Sequence, residues 1–241
     1  MTTTLTGGRM RLVRHCAEHP YPKWYFGLDL GQRQDYSALA ALELTWSAQG
    51  RCPVTFEFQF EPRLEIRFLK RFPKGFCYED LYHLVEECLR VLAPVTTARE
   101  LIIDAGGPGP PVVDRLRRNL DSGLIVKPII ITGGKGANTL NGGYTGVPRR
   151  TVISNFLLLM AAKSLKCKRD LDGFLLLQEE LLELAGESTQ PAAKASHDDL
   201  AIATGLAAWS AARDVPELLP ETKDARKRRN SGSMFGSGPL F

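Results

Sequence analysis

Acidic residues follow short apolar runs at two places in this chain, and each acid is followed closely by glycine. Asp29 lies in YFGLDLG (residues 25–31) and Asp104 in LIIDAGG (residues 101–107). This pattern is typical of a carboxylate at the C-terminal tip of a buried strand, where a sheet exposes its ligand-binding edge. A third acidic pair, Asp198 and Asp199, opens a long apolar helix. If the three stations converge, their charges repel unless divalent cations with oxygen ligands lie between them.

The composition permits one globular domain of good size. The chain has 241 residues, of which 44% are apolar and 24% are charged, values that are ordinary for a soluble protein. The five cysteines are odd in number and form no CxxC pair, which argues against a disulfide framework and a thiolate zinc site. No secretory signal or membrane-spanning run is evident. A cytoplasmic location is therefore expected, with no membrane partner.

Charge and hydrophobic period divide the chain into three parts. We expect a flexible leader over residues 1–21, a folded domain over 22–213 and a basic tail over 214–241, where the segment KDARKRR (residues 223–229) favours polyanionic partners. Strands are predicted over 25–30, 36–46, 54–68, 101–104 and 125–131, and helices over 79–92, 111–120, 149–165, 174–187 and 198–212, with a glycine-rich segment over 133–146.

Three strands joined by short turns, followed by a helix and then by strands alternating with helices, predict an α/β fold of the ribonuclease H-like class. Its mixed five-stranded sheet has three antiparallel strands followed by parallel strands, flanked by helices. In this topology the first and fourth strands are parallel neighbours, which sets Asp29 beside Asp104. A terminal helix can then bring Asp198 or Asp199 to them. Such a cluster suits two Mg²⁺ or Mn²⁺ ions and phosphodiester hydrolysis.

Several motifs then match a known family in order along the chain. They are GLDLG (27–31) with DYS (35–37), DAGGPG (104–109) with VVD (112–114), VPRR (147–150), LLEL (181–184) and HDDL (197–200). Over about residues 22–212 the chain resembles the nuclease domain of tailed-phage terminase large subunits. The resemblance implies an endonuclease that cuts duplex concatemeric viral DNA during packaging, in the bacterial host cytoplasm. It also implies a small terminase subunit and a portal as partners.

One motif of that family is absent. Terminase large subunits carry an ATPase motor before the nuclease, but this sequence has no Gly-x-x-x-x-Gly-Lys-Ser/Thr loop, because GGKG (residues 133–136) lacks both the spacing and the hydroxyl. The expectation is a nuclease domain whose motor, if it has one, is a separate ATPase.

The candidate metal ligands and catalytic residues are Asp29, Asp104, Asp199 and Asp198. Either acid at the third station could instead cap the helix, since residues 196–199 also spell a capping box. Asp199 is preferred over Asp198 as the ligand, and His197 is expected to support or flank the site.

Three cations flank the glycine-rich segment, where a flexible backbone could follow phosphates. Lys135, Arg149 and Arg150 are therefore candidate DNA contacts, with plain solvated charge as the alternative.

Three other functions share these features. An ATPase of the actin and heat-shock type has the same core fold and two similar phosphate loops, but it needs two such domains. A junction resolvase has similar site residues. A non-catalytic DNA-binding packaging module is favoured if Asp198 and Asp199 both point away from Asp29.

Overall fold

The computed structural model describes residues 22–31, 35–51, 56, 58–92, 98–107, 109–119, 123–134, 136–184 and 197–219. The predicted leader, nearly all of the predicted tail and Lys135 lie outside these ranges. No helix within them is long and apolar enough to cross a membrane.

The described residues form eight strands and five α-helices, with short 3₁₀ turns at Asn141–Gly143 and Pro216–Leu218. In chain order the elements are β1 (Lys23–Asp29), β2 (Ala38–Arg51), β3 (Phe58–Arg71), α1 (Tyr78–Leu92), β4 (Ala98–Asp104), α2 (Gly109–Asn119), β5 (Leu124–Thr132), β6 (Asn138–Thr139), β7 (Thr145–Pro148), α3 (Arg149–Ala161), β8 (Leu165–Cys167), α4 (Phe174–Leu184) and α5 (Asp199–Asp214).

All eight strands belong to one mixed sheet in the order β6-β7-β5-β4-β1-β2-β3-β8. β2 pairs antiparallel with β1 and with β3, whereas β4 pairs parallel with β1 and with β5. These five strands have the predicted order and directions, so the mixed α/β, ribonuclease H-like fold is confirmed.

The predicted strand number was wrong, because three short strands extend the sheet beyond five. β7 pairs parallel with β5, β6 pairs antiparallel with β7, and β8 pairs parallel with β3. The helix predicted to reach residue 165 ends at Ala161, and Lys163 adopts a positive φ of 59°. This left-handed residue reverses the chain and directs Leu165 back into the sheet.

Helix α5 is the central helix of one face of the sheet. Every residue from 200 to 212 is buried, which explains why its sequence is apolar or small throughout. A Cβ added at Gly27 would lie 1.9 Å from the carbonyl oxygen of Ala203, so β1 and α5 are in backbone contact there. This contact requires glycine, and it sets Asp29, two residues further along β1 on the same face, toward the start of α5.

Charged groups fasten the other end of α5. The buried Glu100 carboxylate accepts hydrogen bonds from Lys23 (2.8 Å), Lys127 (2.6 Å) and Ser210 (2.9 Å), and Lys23 also pairs with Asp214 at 2.5 Å. Three strands are thereby joined to the last turns of the helix. With Gly27 and this network fixing its position, the first turn of α5 is held at the C-terminal edge of β1 and β4.

Candidate functional site

Asp29 and Asp104 are the last residues of two parallel neighbouring strands. The pairing register places Leu28 opposite Ile103, so the two aspartates are the next residues along β1 and β4. Adjacent strands lie about 4.8 Å apart. The two aspartates therefore lie side by side. Both are partly buried, so solvent reaches this edge of the sheet.

The carboxyl group of Asp104 is oriented by the turn that follows it. Its Oδ1 accepts a hydrogen bond of 2.9 Å from the backbone N–H of Gly106. Burial raises the pKa of Asp104, while hydrogen bonds from the backbone of Gly106 and Ile131 act against that rise. The turn thus holds one oxygen in place.

Asp198 is the N-cap residue of α5, but its side chain makes no capping hydrogen bond. It instead forms an ion pair with Arg149, at the first residue of α3. Capping therefore does not account for the Asp198 side chain, which is neutralised by a neighbouring helix.

Asp199 opens α5 and is 14% exposed. Its Oδ2 is buried and has no hydrogen-bond partner among the described residues, although His197 Nδ1 lies 3.9 Å away. Burial raises the pKa of Asp199, and the charges of His197 and Arg71 act against that rise. Burying a carboxylate oxygen without a hydrogen-bond partner costs free energy. A cation bound to this oxygen would offset that cost.

Asp29 interacts with acids from three other elements. Its pKa is raised well above the usual range, first by burial and then by repulsion from Asp104, Asp199 and Glu180, while Arg149 lowers it. The strand tips, α4 and the first turn of α5 thus contribute to one electronegative site. Within the described ranges, however, no three His, Cys, Asp or Glu side chains stand in a group ready to hold an ion.

Glu180 on α4 was not predicted from the sequence. Its side chain is only 3% exposed; Oε2 accepts a 2.8 Å hydrogen bond from the backbone N–H of Ala201, and Oε1 lies 3.4 Å from Arg71 Nη1. Burial, with repulsion from Asp199 as a smaller cause, raises the pKa of Glu180 to about 7. Glu180 therefore caps the first turn of α5 from outside that helix. One sequence signal could have found it, because Glu180 lies three residues from Leu177 on the buried face of α4.

Two of the predicted DNA contacts begin α3. Arg149 and Arg150 are both exposed, but the guanidinium group of Arg149 is paired with Asp198. The structure thus places Arg149 at the acidic site, and no contact of Lys135 is described.

The donor set fits a hard divalent cation in its chemistry. Asp29, Asp104 and Asp199 supply carboxylate oxygens, which Mg²⁺ and Mn²⁺ prefer, and the unpartnered Oδ2 of Asp199 is available. Asp198 Oδ2 is also buried without a hydrogen-bond partner among the described residues, but Arg149 forms an ion pair with it, so its charge is already offset.

Comparison with known proteins adds one finding. No family model matches the chain, and no curated protein matches it. Solved structures similar to the chain include the large terminase nuclease from thermophilic phage G20c, at 17% sequence identity, with 78% of this chain and 82% of that chain covered and a TM-score of 0.45. The fold assignment rests on strand order and direction rather than on this match.

Proposed function

We propose that the chain is a metal-dependent endonuclease that hydrolyses phosphodiester bonds in duplex DNA. One observation carries the proposal: Asp29 and Asp104 end neighbouring parallel strands, and Asp199, whose buried Oδ2 has no hydrogen-bond partner among the described residues, adds its charge to theirs. A folded protein keeps such a cluster where a cation or a proton relieves the repulsion.

In this proposal Asp29, Asp104 and Asp199 hold two Mg²⁺ or Mn²⁺ ions. When bound, such ions stabilise the charge on the attacking and leaving oxygens of phosphodiester hydrolysis. The protein positions the ligands: the Gly106 turn orients Asp104, and Glu180 holds the first turn of α5 and hence Asp199.

His197 and Asp198 have supporting roles. His197 lies beside Asp199 and favours its ionised form. Asp198 forms an ion pair with Arg149, whose charge favours the ionised form of Asp29. Asp198 is therefore assigned to positioning rather than to metal binding.

The biological setting is proposed from the family resemblance. The enzyme would cut concatemeric viral DNA during packaging in the host cytoplasm, together with a separate ATPase motor, a small terminase subunit and a portal. Little sequence preference is expected, because contacts to phosphates carry no sequence information.

Plasmid nicking by the purified chain tests the proposed function. We expect supercoiled DNA to be nicked and linearised with Mn²⁺ or Mg²⁺ but not with EDTA. Asp29→Asn, Asp104→Asn and Asp199→Asn should each lose at least about 100-fold in rate, which corresponds to about 2.7 kcal/mol of transition-state stabilisation. Asp198→Asn should lose less.

The matched control is Asp80→Asn, which removes an exposed acid from the first turn of α1 and should cleave like the wild type. Hydrolysis of ATP without cleavage of DNA would support the ATPase alternative. Cleavage of four-way junctions but not of plasmid would support a resolvase. Binding of DNA without cleavage in either metal would support the non-catalytic module.

A further inference from the structure

Cationic side chains gather around one aromatic ring at the end of β3. The guanidinium carbon of Arg71 lies 4.4 Å from the centroid of the Tyr36 ring, and the Lys74 ammonium nitrogen lies 4.8 Å from it. Cations at such distances are attracted to the ring. The Tyr36 ring therefore attracts the charged ends of the Arg71 and Lys74 side chains to one place.

Two of these residues, Tyr36 and Arg71, line an open cavity of about 480 Å³. Its wall includes Tyr36, Arg71 and Lys70 and also Leu200, the residue that follows Asp199. The cavity thus lies next to the first turn of α5, and its wall has two cations, Lys70 and Arg71, and one acid, Asp172.

A continuous chain of contacts joins this cavity to the acidic site. The rings of Tyr36 and His197 meet edge-on at 4.8 Å, and His197 Nδ1 lies 3.9 Å from Asp199 Oδ2. On the other side Arg71 contacts Glu180. Arg71 is therefore held beside the carboxylates, and Lys74 lies over the same ring.

We propose that Arg71 and Lys74, mounted on the ring of Tyr36, form a phosphate clamp that binds the backbone of the substrate strand beside Asp199. This inference rests on the proposed nuclease function. It places a DNA contact at the end of β3, where the exposed Lys74 lies over the ring of Tyr36. An acidic site repels a polyanion, and fixed cations at its border offset that repulsion and release counterions when DNA binds.

Lys74 is the residue to change, since it is exposed, whereas Arg71 also holds Glu180. Binding of a duplex oligonucleotide is measured by fluorescence anisotropy over a range of salt concentrations. The protein carries Asp29→Asn, with Ca²⁺ present, so that no cleavage interferes. We expect Lys74→Gln to weaken binding and to lower the slope of log Kd against log salt by about 1, the value for one lost phosphate contact. Lys74→Arg should keep the wild-type slope.

The role of the ring is tested in the same assay. Tyr36→Phe keeps the ring and should bind as the wild type does, whereas Tyr36→Leu should lower the salt slope as Lys74→Gln does. Combining Tyr36→Leu with Lys74→Gln should lower it little further. The control is Lys166→Gln, which removes an exposed lysine from β8 and should leave the slope unchanged.

Two outcomes separate this inference from the proposed function. If the wild type nicks plasmid but Lys74→Gln keeps the affinity and salt slope of Lys166→Gln, the clamp is wrong and the nuclease stands. If the wild type neither cleaves DNA nor binds it at low salt, both proposals are wrong.

Discussion

Burial and like charge together decide the ionisation of the acids at this site. Glu180 is nearly inaccessible to solvent, and its pKa is raised to about 7, first by burial. Asp29, Asp104 and Asp199 are shifted in the same direction, with burial again the first cause. Without a cation, part of the negative charge is therefore removed by protonation as the pH falls through 7, where Glu180 titrates.

Glu180 gives a prediction about pH and stability. Its pKa is near 7 in the folded protein and close to the ordinary value of 4.5 in the unfolded chain. Between these two pKa values the folded state binds more protons than the unfolded chain. The stability that Glu180 contributes is therefore fully present below about pH 4.5 and is lost as the pH rises through 7. This one group changes the free energy of unfolding by at most about 1.4 kcal/mol per pH unit. Glu180→Gln should remove it.

Urea unfolding in EDTA from pH 5 to 7.5 measures this effect. The free energy of unfolding of Glu180→Gln, relative to the wild type, should rise across that range. Glu179→Gln, which changes the exposed neighbour on α4, should show no such trend. A constant difference between Glu180→Gln and the wild type would show that Glu180 is ionised throughout.

At the scale of elements, the site depends on how closely α5 approaches β1. The backbone contact at Gly27 and Ala203 fixes the middle of the helix, and the Glu100 network fixes its end. Asp199 is carried on the first turn, so any displacement of the helix moves this carboxylate relative to Asp29.

Gly27→Ala tests this dependence. The new methyl group would meet the carbonyl oxygen of Ala203, and α5 would have to shift. We expect a loss of about 1–3 kcal/mol in the free energy of unfolding and a larger loss of cleavage than the unfolded fraction explains. Gly133→Ala is the control, because its added Cβ would meet nothing within 4 Å. Full activity in Gly27→Ala would show that the helix position is not critical.

The predictability of these elements follows from their length and pattern. The five long strands have clear apolar runs, and their order could be predicted from the sequence. β7 could not, because its four residues lie in a glycine-rich segment and end in a proline, both of which are typical of loops. β8 has only three residues, one of them a lysine, and follows closely after α3, so its pairing with β3 depends on tertiary contacts. Asp29 and Asp104 followed from strand ends, whereas Glu180 was not predicted, because its role depends on how α4 packs against the first turn of α5.

At the scale of the whole molecule, the fold gathers acids that are distant in the sequence. Asp29, Asp104, Glu180 and Asp199 come from four elements, and their mutual repulsion opposes folding when no cation is bound. A bound cation should therefore stabilise the whole domain, because a ligand that binds only the folded state raises its stability.

Thermal unfolding with and without Mn²⁺ measures this coupling. At a Mn²⁺ concentration of about 100 times its Kd, the wild type should gain about 2.7 kcal/mol. Asp29→Asn and Asp104→Asn should gain much less, and without metal they should be as stable as the wild type or slightly more stable. Asp80→Asn should gain as much as the wild type. Collapse of the metal-free Asp29→Asn and Asp104→Asn variants would show that these aspartates are structural.

We propose that Asp29, Asp104 and Asp199 form one cation site at the edge of the sheet. A crystal structure of the protein with Mn²⁺, with data collected at the manganese absorption edge, tests it most directly. We predict anomalous peaks within about 2.0–2.3 Å of oxygens from all three aspartates, with Asp198 still paired to Arg149. Peaks only elsewhere on the protein, or no peak at this edge under saturating Mn²⁺, would contradict the account.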